Sequence, residues 1–282
     1  MISPPEHIGQ REIPFSDVDF QKLAKLARSD FGLNLPPNKK PLVYSRLVKR
    51  LRAHGMASFP DYLHLLDNDQ SGLERKELVS ALTTNVSSFF RERHHFDTLG
   101  SFLETQTDVP RLRIWSAGCS SGQEPYSISA TIHARIDKPA SRDIKILATD
   151  IDSKIVTTAR RGVYSGTEAC DLAPADQEAL FTPEGAGGER KIRPELQALI
   201  SYAELNLIGT WPFRGPFDAI FCRNVAIYFD QEVQQTLWTR FCNFLKPGGY
   251  LFIGHSERIS GPASAQFEID GVTTYRKTIP GS

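Results

Sequence analysis

Residues 115–127 read WSAGCSSGQEPYS, between an apolar run, RLRIW, and a helical pattern, YSISATIHARI. A small-residue loop between a strand and a helix places backbone amides at a helix N-terminus, where a ligand can sit. Phosphate is the usual occupant, yet this loop has no lysine and carries Glu124. A phosphate loop needs G-x-x-x-x-G-K-[ST]; here Gly118 and Gly122 stand too close and no lysine follows. A dinucleotide loop needs a further glycine, and Glu124 would repel its phosphates. S-adenosylmethionine suits these residues better, because it has no phosphate and offers an α-amino group, a sulfonium, a carboxylate and a ribose. Glu124 can accept from the amino group and balance positive charge. The small residues around Gly118 admit the methionine backbone.

Two more places carry chemistry. The run DIKILATDI ends near Asp150, and an acid at the end of a second strand can hold both ribose hydroxyls. Asp152 or Ser153 is better placed to cap the helix that follows, which leaves Asp150 for the ligand. After FDAIFC come Arg223, Asn224 and Tyr228, polar residues that fold physics does not ask for there. The paired donor and acceptor of Asn224 suit adenine or substrate. In TTNVSSFFRERHHF, residues 83–96, Asn85, Ser87 and Ser88 are short polar groups for capping or ligand contact. Taken alone, the segment reads as a capped helix packing Phe89 and Phe90 on a core. It also joins two differently patterned regions, where ligand clefts are common.

The elements that position these residues follow from periodicity. Residues 1–80 read as helices: Ser16 caps DVDFQKLAKLARSDFG, which Gly32 closes, and PLVYSRLVKRLRAHG, FPDYLHLLDN and a run from Gly72 follow. From residue 111 strands and helices alternate: RLRIWSA, EPYSISATIHARI, DIKILATDI, SKIVTTARRG, FDAIFC, QEVQQTLWTRFCNFL, YLFIGHS. Such alternation implies an α/β fold with a mostly parallel, doubly covered sheet. QFEIDGVTTYRKT reads as a final hairpin turning at Asp270-Gly271. Residues 165–196 break the alternation with glycines and prolines, and read as an excursion with an antiparallel hairpin around PEGAGGERKIR.

The bulk properties set limits. The chain has 282 residues and no formal net charge, which points to neither nucleic acid nor membrane. Its four cysteines are dispersed without a C-x-x-C pair, and His94 and His95 should point apart on a helix, so no metal site is expected. MISPPEHIGQREIPF lacks a signal-peptide core, and no apolar run approaches a membrane span. A cytoplasmic protein with reduced thiols is expected. Lys39, Lys40, Arg46, Lys49, Arg50 and Arg52 form a basic helix without an acid, suited to an acidic partner or simply to solvent.

Together, NVSSFFR at 85–91, SAGCSSGQEPYS at 116–127, ATDID at 148–152, Asn206-Leu207, FCRNVAIYF at 221–229 and GHSE at 254–257 resemble the chemotaxis receptor glutamate methyltransferases, the CheR-type family. The resemblance runs over residues 15–278. It departs in Ser87, where the family usually has threonine, and in Gln123, where glutamate is commoner. It implies a class I, Rossmann-like methyltransferase sheet (81–282) after a small N-terminal helical domain (1–80), with an inserted β-subdomain at 165–203. Carried over residue by residue, it implies that Asn85, Ser87, Arg91, Gly118, Glu124, Asp150, Asn206, Leu207, Asn224 and Val225 surround S-adenosylmethionine. Arg91 and Tyr228 would stand beside the transferring methyl as catalytic residues. The expected substrates are glutamates on the cytoplasmic methylation helices of chemotaxis receptors, drawn to the basic helix. The loop around residues 185–188 looks shorter than in relatives that dock a receptor C-terminal peptide, so such tethering is not expected. Alternatives are methylation of another protein, RNA or a small molecule, and a cofactor-binding receptor scaffold without catalysis.

Overall fold

A computed structural model describes residues 13–106, 110–183 and 188–279. The chain divides into two compact units, Met1–Thr83 and Thr84–Ser282. Among the described residues, the first holds four α-helices, α1 (Asp17–Phe31), α2 (Lys40–Ala53), α3 (Phe59–Asp67) and α4 (Leu73–Leu82). Ser16 caps α1 in a reciprocal box with Asp19, and Gly32 ends it with φ +75°. Ser58 caps α3 through the Asp61 amide. Phe20, Leu23, Leu47, Leu51, Tyr62 and Leu66 bury their side chains in the core of this unit.

Buried Glu74 of α4 breaks that apolar pattern. It accepts from Arg50 at 3.1 and 2.5 Å and from the Tyr62 hydroxyl at 2.8 Å, and its Oε2 lies 2.8 Å from His54 Nε2. Burial raises its pKa, but the bonds from Arg50, Tyr62 and His54 outweigh burial and leave it below the usual carboxylate value. This changes the reading of the basic helix. Arg50 also pairs with Glu77 at 3.1 Å, and Arg46 donates to the carbonyls of Ala81, Leu82 and Thr83. These two arginines serve the unit's interior, whereas Lys39, Lys49 and Arg52 are exposed and Lys40 pairs with Asp17.

The second unit is built on a seven-stranded sheet. Its strands are β1 (Arg111–Ala117), β2 (Asp143–Asp150), β5 (Ile200–Glu204), β6 (Phe217–Cys222), β7 (Leu245–Ile253), β8 (Phe267–Ile269) and β9 (Thr274–Lys277). The order is β5-β2-β1-β6-β7-β9-β8. The first five are parallel, and β9 runs antiparallel to both neighbours. The helices are α5 (His94–Glu104), α6 (Gln123–Arg135), α7 (Ser153–Arg161), α8 (Gly166–Cys170), α9 (Pro174–Leu180), α10 (Pro194–Gln197) and α11 (Gln231–Phe244). Leu99 and Leu103 of α5 and Ile128 and Ile132 of α6 pack with Ile114, Ile146, Phe221 and Phe252 of the sheet. Trp115 is fully buried among Trp211, Phe213, Phe217 and Phe241, with centroids 4.7–5.5 Å apart.

Three expectations change. Residues 200–203, expected in the inserted subdomain, lie in β5 at the edge of the main sheet, paired with β2 from Ile146↔Ile200 to Asp150↔Glu204. ISYAE is largely exposed and lacks the apolar run that marks a central strand. The expected hairpin around 183–193 is reduced to one Phe181↔Ile192 bridge, because β4 (Glu189–Lys191) pairs with β3 (Val163–Ser165). Residues 184–187, and most of the loop expected to be short, lie outside the described residues. The segment at 83–93 is not helical: Phe90 and Glu92 have φ of +50° and +55°, and α5 starts only at His94. Phe89 instead packs on Tyr164 and Phe181, at 4.8 and 5.4 Å.

Replacing Arg50 with Ala removes the charged partner of a buried carboxylate. The expected cost is about 2–3 kcal/mol, against less than about 0.5 for Lys49→Ala or Arg52→Ala, measured by urea denaturation of the full chain. Because Glu74 has a lowered folded pKa, its contribution is present above the unfolded value of about 4.3 and fades as pH falls through the folded one.

Candidate active site

After β1 the chain crosses through α6 to β2 on one side; after β6 it crosses through α11 to β7 on the other. The carboxyl ends of β1 and β6 therefore flank a topological switch point, where open α/β sheets take their ligands. The loop 117–123 leaves β1 there, and 223–229 leaves β6. The two meet closely. A Cβ on Gly118 would fall 2.3 Å from Val225 Cγ2, and Gly118 has φ +96°. Only glycine meets both demands.

Glu124 lies in the first turn of α6 and is 8 % exposed. Its Oε1 accepts from the Ser116 hydroxyl at 2.6 Å, and its Oε2 pairs with Arg223 Nη1 at 3.0 Å. The carboxylate that the sequence offered to a ligand cation already has an internal counter-ion. Burial pushes its pKa up, while Arg223 and Ser116 work in the opposite direction. Each oxygen keeps a lone pair for a further donor. Arg223 is the residue that sequence reasoning noticed but did not place in the site. Its guanidinium also lies 3.3 Å from Glu92 Oε2 and donates to the Arg91 carbonyl. The usable signal was its position: an arginine directly after a fully buried strand needs buried partners.

Asp150 ends β2 beside the same loop. Its Oδ2 accepts from the Ser120 amide at 2.9 Å and its Oδ1 from the Asp152 amide at 3.1 Å. Burial raises its pKa against those two bonds. Asp152, not Asp150, caps α7 through the Lys154 and Ile155 amides. Asn85 reaches Asp152 Oδ2 at 3.3 Å, which brings the 83–93 segment to the end of β2. Ser87 is half-buried two residues on. The Asn206 side chain accepts from the Ile208 amide at 3.1 Å, and Leu207 is buried with its carbonyl bonded to Trp211 and Arg240. Asn206 and Leu207 follow β5, and the Leu205 amide bonds the Asp150 carbonyl at 2.8 Å. Asn224 has φ +59°. Arg91 donates to the Val86 carbonyl at 3.2 Å and Tyr228 to that of Thr84 at 3.4 Å, so both side chains reach the 84–86 segment.

The 223–229 loop is held by a second residue that sequence reasoning left without a role. Glu257, 5 % exposed, accepts from the amides of Asn224, Val225, Ile227 and Gly254 at 3.0, 3.0, 3.2 and 2.5 Å. Its only sequence signal was its place in the GHSE motif.

The geometry also corrects the reading of the adjacent histidines. At the start of α5 their rings lie 4.2 Å apart, and ligand atoms of Glu92, His94 and His95 come within 4.8 Å of one another. Neighbours at a helix start need not point apart. The Arg223 guanidinium beside Glu92 opposes a cation there, and no metal role is assigned.

The family comparisons agree with this architecture. Residues 85–276 match the family described as "CheR methyltransferase, SAM binding domain", and residues 18–83 match "CheR methyltransferase, all-alpha domain". The chain belongs to the CheR methyltransferase family. It is 45% identical to a "Probable chemotaxis protein methyltransferase" of Rhizobium etli over 90% of this chain and 97% of that one. Identity is 40% to the "Chemotaxis protein methyltransferase" of Escherichia coli, over 93% and 92%, and 38% to that of Salmonella typhimurium, over 94% and 92%. The fold is accordingly a class I methyltransferase sheet with a helical N-terminal domain. Among the described residues no helix is long and apolar enough to cross a membrane.

The residues present fit S-adenosylmethionine. At the β1 loop the Ser120 hydroxyl is buried without a partner, beside a carboxylate, Asp150, that keeps accepting capacity. An unpartnered hydroxyl beside a carboxylate with spare accepting capacity suits a polyhydroxyl ligand, and the loop has no cation for a phosphate.

His95 gives this site a pH signature. Its Nε2 faces the Val272 carbonyl at 3.3 Å and the Thr273 hydroxyl at 3.0 Å, and its Nδ1 lies 3.5 Å from Glu92 Oε2. Burial, then the charges of Arg223 and His94, push its pKa down to about 3. The unfolded chain takes up that proton near pH 6.5, the fold does not, so stability is lost as pH falls from there. Between pH 6 and 4 the slope should exceed that of His95→Gln by about 1.4 kcal/mol per pH unit. Equal slopes in urea denaturation would contradict the assignment.

Proposed function

We propose that the chain methylates glutamate side-chain carboxylates on chemotaxis receptors, with S-adenosylmethionine as donor, and that the resulting esters serve sensory adaptation. One observation carries this reading: a polar cradle that offers no cation to a phosphate, at the switch point of a CheR-family sheet. When bound, S-adenosylmethionine supplies an electrophilic methyl group. Asp150 and the Ser120 hydroxyl are assigned to its ribose. Gly118 and the paired carboxylate of Glu124 are assigned to its methionine part, with Asn85, Ser87 and Arg91 closing the cradle. Asn206, Leu207, Asn224 and Val225 are assigned to its remaining face.

The acceptor carboxylate is ionised at neutral pH, so the chain needs no general base. Its task is to orient that carboxylate in line at about 3 Å. Arg91 and Tyr228 suit this role because both reach the 84–86 segment, and a guanidinium and a phenol can each donate to a carboxylate. Glu124 does not compete for that substrate position, since Arg223 balances its charge. The exposed members of the basic helix, Lys39, Lys49 and Arg52, are assigned to attraction of the acidic methylation helices.

The chain incubated with methyl-labelled cofactor and receptor-containing membranes should label receptor protein, and mild base should release the label as methanol. Base-stable label would indicate methylation at nitrogen; label in RNA or a small molecule would redirect the substrate class, and none at all would favour a cofactor-binding scaffold. Arg91→Ala should lower turnover by about 100-fold or more, because an orienting charge is lost at the reacting centre. Reversal of Lys49 and Arg52 to Glu, which spares Arg50 and the fold, should raise the receptor KM and flatten its dependence on salt. An unchanged salt dependence would remove the basic helix from docking.

A further inference from the structure

The geometry points to Glu257 as a positioning residue for methyl transfer, acting through the loop that follows β6. The inference rests on the cofactor reading above. After Cys222 the backbone must turn out of the sheet, and it does so through a left-handed residue, Asn224, and one short turn, Ala226–Tyr228. The amides at the start of such a turn have no acceptor within it. Glu257 supplies both oxygens: Oε1 takes Val225 and Ile227, and Oε2 takes Asn224 and Gly254. Converging amide dipoles take the place of a counter-ion for this buried carboxylate.

The clamped residues are the ones that carry the proposed chemistry. Asn224 and Val225 are assigned to the cofactor, Val225 also seats against Gly118, and Tyr228 closes the turn. The clamp fixes the cofactor wall and the methyl-side tyrosine together. Gly254 is part of the device: a Cβ there would fall 2.7 Å from both the Asn224 backbone nitrogen and its Nδ2, and 2.9 Å from Glu257 Oε2. Any side chain at 254 would push the loop off the carboxylate.

Charge rather than shape should decide the effect. Glutamine has the same size, but its NH₂ would face amide donors and lose half of the clamp. In the full-length chain, Glu257→Gln should weaken binding of S-adenosylhomocysteine about tenfold or more by calorimetry, and lower kcat at saturating cofactor by a similar factor. The receptor KM should stay within about twofold, since the basic helix is untouched. Loss of folded protein lowers binding stoichiometry and leaves the dissociation constant alone, so affinity separates positioning from instability. Gly254→Ala should reproduce both effects. A cooperatively folded Glu257→Gln chain with wild-type affinity and kcat would overturn the proposal. Should that variant not fold, hydrogen exchange on the wild-type chain decides: the amides of Asn224, Val225 and Ile227 should be protected, and exchange at open-loop rates would overturn it. Wild-type protein that fails to bind S-adenosylhomocysteine would instead overturn the cofactor reading and leave the exchange result standing.

Discussion

The site depends on how one buried cation is accommodated. Arg223 stands at the carboxyl end of β6, and its side chain is almost sealed from solvent. A guanidinium there is tolerable only with anions and carbonyls around it. The fold supplies Glu124 from the first turn of α6, and Glu92 and the Arg91 carbonyl from the segment before α5. Two separate stretches of chain thereby converge on one side chain. The conformation of 85–93, with two left-handed non-glycine residues, becomes intelligible as the path that brings both Glu92 and the Arg91 carbonyl within reach.

This changes the meaning of Glu124. In sequence it looks like a ligand-binding acid in an otherwise neutral loop. In the structure it is half of a buried pair, fixed by Ser116 on one oxygen and Arg223 on the other. A fixed, neutralised carboxylate is a directional acceptor rather than a free charge. Asp150 is treated in the same way, with one amide on each oxygen. Both acids are held before any ligand arrives, which lowers the ordering cost of binding.

Much of this was legible in the sequence. Caps at Ser16, Gly32, Asp152, Gly162 and Asp230 follow from local chemistry, and the structure places them as read; the final hairpin forms too, but its loop runs over 270–273, with Ile269 opposite Tyr275, instead of turning at Asp270-Gly271 alone. The mostly parallel sheet followed from alternation. Misreadings arose where the deciding partner is distant. β5 is polar and exposed, and only its pairing with β2 makes it a strand. β4 pairs with β3 across 23 or more residues of chain rather than with its sequence neighbours. Arg46 and Arg50 look like surface charge on a helix until the carbonyls of α4 and the carboxylate of Glu74 are in place. Glu257 had a motif but no visible task, because its partners are backbone amides, which sequence does not display.

The clamp has a bearing on how the protein is made. The 223–229 loop and its clamp are more than two dozen residues apart in the chain, and the clamp sits just beyond β7, which β9 covers from the other side. A nascent chain that has delivered the loops after β1 and β6 still lacks the carboxylate that sets the second of them. The 223–229 loop therefore acquires these acceptors only after β7 has been made.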